Sequence, residues 1–173
     1  MEAGKCDTMP EAMSDAMKNA RWLILSVVVI ALDLWTKALA ESSIQYGEFI
    51  PVLPFFNLTL AYNPGAAFSF LADAGGWQRY FFTVVAVVAV IVMLVWLLRL
   101  KGEPLVASAL ALVIGGALGN LHDRIVHGHV IDFLDFYWGN SHFPAFNLAD
   151  SAITLGAILL IIDMLFAGKK SDE

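Results

Sequence analysis

The sequence predicts an all-α membrane protein, four transmembrane helices in one bundle with a small β-element in the first extracytoplasmic loop. Three observations carry that prediction. Of 173 residues, 59% are hydrophobic and only 15% charged, at a mean hydropathy of +0.72, where a soluble domain carries nearer a quarter charged residues. Four apolar runs have the length, ~18 residues or more, that the bilayer core asks of a helix. The basic residues are also unevenly placed. With the N-terminus inside, Lys5, Lys18, Arg21, Arg99, Lys101, Lys169 and Lys170 are cytoplasmic, and Lys37, Arg79 and Arg124 lie on or near the other side. That is the positive-inside pattern for a chain with both termini in the cytoplasm.

Residues 1–21 are polar, hold four methionines and are expected to form a cytoplasmic tail; residues 22–168 form the single membrane domain and 169–173 a second cytoplasmic tail. The first span runs from Leu23 to Ala40 and is interrupted by Asp33 and Lys37. In the outer loop 42–76, Pro51 and Pro54 exclude a long helix, while Phe55 to Ala61 is rich in aromatic and strand-favouring residues. A short amphipathic β-element on the membrane surface follows from that composition, ended by a turn at Pro64-Gly65. Tyr80 to Leu98 and Pro104 to Leu121 carry no charge and are the second and third spans, joined by the short link "RLKGEP". The second outer loop, 122–146, contains His122, His127, His129 and His142. The fourth span runs from about Asn147 to Phe166, with Asp150 near its start and Asp163 near its end. Both outer loops are dense in aromatics, as membrane interfaces are.

Composition also excludes. The one cysteine, Cys6, permits no intramolecular disulfide and no cysteine-based metal site. The histidine spacings do not match the helical H-E-x-x-H pattern, so these are expected as exposed loop residues rather than metal ligands, and no cofactor is expected. No basic surface suited to nucleic acid is visible. Nor is there an internal repeat.

Polar residues inside apolar spans cost several kcal/mol and so mark pairing or function. Asp33 and Lys37, four apart, share one helical face and can neutralise each other. Asn120, Asp123 and Arg124 close the third span, and the small residues of "GGALG" just upstream let another helix come close. Asn147 is a natural N-cap for the fourth span, and Asp150 three residues on suits the positive end of the helix dipole. Asp132 has no such explanation: it lies between Ile131 and Phe133 with no cation close in sequence, and Asp135 competes with it three residues on. Two carboxylates brought together in a low-dielectric site cannot both ionise easily, so they share a proton. One can then take a proton from water while the other donates to a carbonyl oxygen. That is aspartic-protease chemistry, and the loop between Asp132 and Asp150 is long enough to fold back and bring them together.

Five segments in order, "DLWTK" (33–37), "YNPGAAFS" (62–69), "GNLHDR" (119–124), "GHVIDF" (128–133) and "FNLADS" (146–151), make the chain resemble the bacterial lipoprotein signal peptidases, also called signal peptidase II or prolipoprotein signal peptidases. The resemblance extends from about Trp22 to Phe166. It implies a monomeric aspartic endopeptidase, multi-pass in the bacterial cytoplasmic (inner) membrane. Such an enzyme cuts the signal peptide from a prolipoprotein just before a cysteine carrying diacylglycerol. It further implies Asp132 and Asp150 as the catalytic pair near the extracytoplasmic face, and Asn63, Gly65, Asn120, Arg124 and Asn147 as groups that line and orient the site. Asp33 and Lys37 would support it, and Asp123 would have a structural role. Expected partners are lipid-modified prolipoprotein signal peptides, membrane lipids and the cyclic peptide antibiotic globomycin. The strand-like Phe55–Ala61 is expected to clamp the extended substrate by edge pairing. Two rival readings are a non-enzymatic four-helix membrane protein with structural or proton-carrying acids, and a presenilin-type protease, whose Tyr-Asp and Gly-x-Gly-Asp contexts do not occur here.

Overall fold

Residues 11–64 and 77–167 are described by the computed structural model. A short amphipathic helix, α1 (Glu11–Ala20), occupies part of the stretch expected as a tail and leads into four helices long and apolar enough to cross a bilayer. These are α2 (Leu23–Ser43), α3 (Trp77–Arg99), α4 (Pro104–Val126) and α5 (Leu148–Ala167). Their lengths of 20 to 23 residues correspond to about 30 Å at the α-helical rise, the thickness of the hydrocarbon core.

Helix α4 is the hub on which α2, α3 and α5 pack. Its apolar window is 67% buried against 6% for α3, whose Val84, Val88, Ile91 and Val92 are left exposed for lipid. The glycines of "GGALG" explain the hub. A Cβ on Gly115 would lie 2.9 Å from the Ser26 carbonyl oxygen of α2, and one on Gly116 would overlap the Ala149 carbonyl of α5. A Cβ on Gly119 would meet Asp33 Oδ2 at 2.5 Å. Lipid tails are as apolar as the helices, so close backbone approach, rather than escape from water, holds such a bundle together. Where α3 turns into α4, Leu97, Leu100, Val106 and Leu110 form a buried cluster against Trp22 and Leu23.

The far end of the bundle carries a four-stranded antiparallel sheet in the order β1-β2-β3-β4. Strands β1 (Phe49–Leu53) and β2 (Phe56–Asn63) are the element expected in the first outer loop; β3 (Val130–Trp138) and β4 (Ser141–His142) come from the second, where only a loop was expected. The β3 sequence shows no alternation because its first four residues are buried on both faces and its centre is bulged. Phe133 and Leu134 both donate their amides to the Phe146 carbonyl, at 3.0 and 2.8 Å, the two-against-one pattern of a bulge. The bulge resets the phase of the strand. Ile131, Phe133 and Leu134 pack toward Ala40 and Ile44 of α2, while Asp132 and Asp135, three apart, open onto one cavity.

One expectation is corrected here. Strand β2 is paired on both sides from Phe56 to Thr59, by β1 and β3, and by β3 alone from Leu60 to Asn63, so the expected clamping edge is restricted to its last half. One ladder is the local hairpin with β1; the other is supplied by the second outer loop, which could not be placed beside β2 from local sequence.

Candidate active site

Four polar groups from α2 and α4 meet inside the bundle. The Lys37 ammonium forms ion pairs with Asp33 Oδ2 at 2.7 Å and Asp123 Oδ2 at 2.8 Å and donates to Asn120 Oδ1 at 3.0 Å. Lys37 and both carboxylates are at most 1% exposed, a burial tolerable only because each charge is paired with an opposite one. Asp33 also accepts the Ala149 amide of α5 at 2.9 Å, and Asp123 accepts the Ile131 amide of β3 at 3.3 Å. The i,i+4 pairing of Asp33 with Lys37 is therefore real, but it is one side of a junction that ties α2, α4, α5 and the sheet together.

The junction hands over to the two aspartates through a pair of asparagines. Asn120 accepts from Lys37, donates Nδ2 to Asp150 Oδ1 at 2.7 Å and accepts Asn147 Nδ2 at 3.1 Å. Asn147 Nδ2 in turn reaches Asp132 Oδ1 at 2.8 Å, and Asn63 Nδ2 donates to Asp132 Oδ2 at 3.2 Å. Asn147 is also the N-cap of α5: its Oδ1 accepts the Asp150 amide at 2.9 Å, while Asp150 Oδ2 accepts the Asn147 amide at 3.2 Å. That reciprocal pair is a capping box, so the helix-start explanation of Asn147 and Asp150 holds as structure. The same side chains hold Asp132.

The chain gets back to Asp132 by a hairpin. Gly139, at φ +59°, turns β3 into β4; Phe143 then donates to the Phe136 carbonyl at 2.7 Å and Phe146 to the Leu134 carbonyl at 3.0 Å. Residues 143–146 thus run alongside β3 and deliver α5 beside Asp132. Asp132 and Asp150 line one cleft of about 770 Å³ with Asn63, Phe143, Ser151 and Leu155. Asp132 is only 2% exposed, and burial together with the nearby Asp150 charge pushes its carboxyl up to about 7, against the pull of hydrogen bonds from Asn63 and Asn147 and the Lys37 charge.

Arg124 stands at the edge of this network. Its Nη1 donates to the Asn120 carbonyl at 3.4 Å and its guanidinium lies 5.7 Å from the Phe82 ring centre. Asp123 lines neither this cleft nor the cavity onto which Asp132 and Asp135 open. Gly65 lies outside the described residues. Of the histidines, His122, His127 and His142 are exposed, and ligand atoms of His122, Asp123 and His127 lie within 4.8 Å of one another. One further grouping is invisible to residue spacing. Asp135, 2% exposed, accepts Asn57 Nδ2 at 2.8 Å and faces His142 Nδ1 at 2.9 Å from both oxygens. A separation of three from Asp132 argues against a shared strand face, and only the bulge overrides it.

Known proteins point the same way by sequence and by structure. The profile of the family described as signal peptidase (SPase) II matches residues 25–166. A protein named lipoprotein signal peptidase from Acinetobacter baumannii is 58% identical over 153 residues, covering 88% of this chain and 87% of the relative. One of the same name from Pseudomonas aeruginosa is 54% identical over 168 residues, covering 95% and 98%. Among solved structures, a bacterial membrane enzyme determined by the in meso method at 2.3 Å superposes with a TM-score of 0.73 at 33% identity, covering 84% of this chain and 88% of that one.

Proposed function

Because this chain belongs to the signal peptidase II family, we propose that it is a membrane aspartic endopeptidase that removes the signal peptide from diacylglyceryl-modified prolipoproteins, cutting just before the lipidated cysteine. The observation that carries this reading is the shared cleft of Asp132 and Asp150, bridged by Asn147 and Asn120. The pair holds one proton near neutral pH, on the Asp132 side favoured by burial. Asp150, whose oxygens accept from Asn120 and from the Asn147 amide, takes a proton from a water in the cleft. The water oxygen adds to the scissile carbonyl carbon as Asp132 donates its proton to the carbonyl oxygen. The resulting diol collapses when Asp150 passes the water proton to the leaving nitrogen, one diol hydroxyl returns its proton to Asp132 and the C–N bond breaks, giving a carboxylic acid and an amine. Both products leave with the pair again sharing one proton.

Asp33, Lys37 and Asp123 hold the scaffold. Asn63, Asn120 and Asn147 orient the carboxylates, and Arg124 balances their charge. The apolar side of the cleft, along Thr154, Leu155 and Ile158 of α5, suits a greasy signal helix at the membrane boundary. Placing the sheet at the extracytoplasmic face of the bacterial inner membrane, with both termini cytoplasmic, follows the bias of the basic residues.

The test is cleavage of a diacylglyceryl-modified prolipoprotein in detergent by purified wild type, Asp132→Asn and Asp150→Asn, with thermal unfolding measured in parallel. Each variant is expected to fold and to lose about a hundredfold or more in rate, the scale of acid–base catalysis. Globomycin is expected to block the wild type. Near-normal cleavage by either folded variant would move the chemistry to other residues.

A further inference from the structure

The cleft at Asp132 is the meeting point of two cavities. One descends along α5; the other, about 550 Å³, crosses the sheet. Asn63, Asp132, Phe143, Pro144 and Ala145 line both. The walls differ in chemistry. Thr154, Leu155 and Ile158 lie along the first; the second also has apolar lining at Phe49, Leu60 and Ala61, but adds the polar groups of Tyr46, Thr59, Asp135 and His142. A substrate cut at this junction has two unlike halves, an apolar signal helix and the polar chain beyond the scissile bond. Burial of apolar surface puts the helix against α5, and the polar chain is left to cross the sheet.

We propose, resting on the peptidase reading above, that Asp135 and His142 form a recognition post for the polypeptide on the C-terminal side of the scissile bond. Neither residue takes part in the water chemistry. Asp135 already accepts a hydrogen bond from Asn57, so it faces His142 as an acceptor and keeps the imidazole proton on Nδ1. The ring stacks on Tyr137 and is met at a tilt by Phe49, each 5.3 Å away centre to centre. With Nδ1 committed and the ring clamped, Nε2 is the remaining lone pair on a side chain that is 43% exposed and lines the cavity. Such a group accepts a hydrogen bond from a backbone amide, a hydroxyl or a carboxamide of an extended chain. A purely structural pair pinning β4 would make cleavage indifferent to the residues beyond the modified cysteine.

Two lipidated substrates separate the possibilities, one ending at the residue after the modified cysteine and one continuing for several polar residues. Wild type is expected to cut the longer substrate about tenfold more efficiently in kcat/KM, chiefly through KM, the scale of one hydrogen bond to a group paired with a charge. His142→Phe keeps the ring stack but has no nitrogen, and should bring the ratio between the substrates close to one. His142→Gln, with its amide oxygen, should restore part of it, and Asp135→Asn should reduce it by releasing the tautomer. A tenfold ratio that persists in His142→Phe overturns the proposal, including the case in which both rates fall together. Equal cleavage of the two substrates by wild type overturns it without touching the peptidase reading. Cleavage of neither by wild type removes both.

Discussion

Replacing Lys37 by methionine tests the buried junction most directly. Methionine follows the lysine stem closely in shape, so little cavity opens and the perturbation is electrostatic. The ammonium and its three contacts, at 2.7, 2.8 and 3.0 Å, disappear together. Asp33 keeps the Ala149 amide and Asp123 keeps the Ile131 amide and the neighbouring His122, but neither keeps a buried cation. Removing one partner from a buried ion pair costs about 3–5 kcal/mol, and with two carboxylates stranded the upper end applies. At about 2–4 °C per kcal/mol for a chain of this size, the unfolding midpoint should fall by roughly 10–20 °C. Scanning fluorimetry in detergent near pH 7 measures it. Adding Asp33→Asn and Asp123→Asn to Lys37→Met removes the stranded charges and should recover several degrees, because the penalty lies in the unpaired acids and not in the lost bonds. A Lys37→Met protein melting within about 2 °C of wild type, well short of that range, or a triple variant less stable than the single, would refute the reasoning.

Other predictions concern the same network. Asp132 titrates near 7 in the fold against 3.8 in the reference state, so the folded state binds its proton more tightly and its contribution to stability declines as pH rises from about 4 through 7. The melting temperature of Asp132→Asn relative to wild type should therefore climb across that window and level off above it; a flat difference would contradict the buried, raised carboxyl. Asn147→Ser keeps a capping oxygen and Asn147→Ala does not, so the serine variant should be more stable by about 1 kcal/mol. Both should lose cleavage alike, since neither carries the amide nitrogen that reaches Asp132 and Asn120. Gly116→Val drives a side chain into the Ala149 carbonyl and Ile153 and should destabilise the bundle by about 2–3 kcal/mol. Unchanged melting there would mean that α4 and α5 are not in backbone contact.

Much of this protein can be read from local chemistry. Four spans emerge from hydropathy because a bilayer permits few backbone solutions, and four helices of spanning length and composition stand where the apolar runs lie. The pairing of Asp33 with Lys37, the N-cap role of Asn147 and the close approach at "GGALG" are contacts within one helix, at one helix end or of one backbone patch. Residue type and spacing are enough to anticipate them. The importance of Asp132 came from an energetic absurdity, a carboxylate among Ile and Phe with no cation beside it.

Local sequence thus accounts for the features whose cause lies within a few residues: spans, caps, small-residue contacts and the identity of the costly polar groups. Which of those groups meet is a matter of long-range folding. Asp132 and Asp150 approach because the β3–β4 hairpin and residues 143–146 return α5 to β3, and Lys37 joins acids from α2 and α4 because glycine backbones let those helices touch. The β3 strand and the Asp135–His142 pair were hidden for the same reason. A bulge set by a hydrogen bond to Phe146 decides which side chains share a face, and no periodicity along the strand carries that information. Long-range pairing selects among local options that are close in energy, so the site exists only once the sheet has closed over the helix ends.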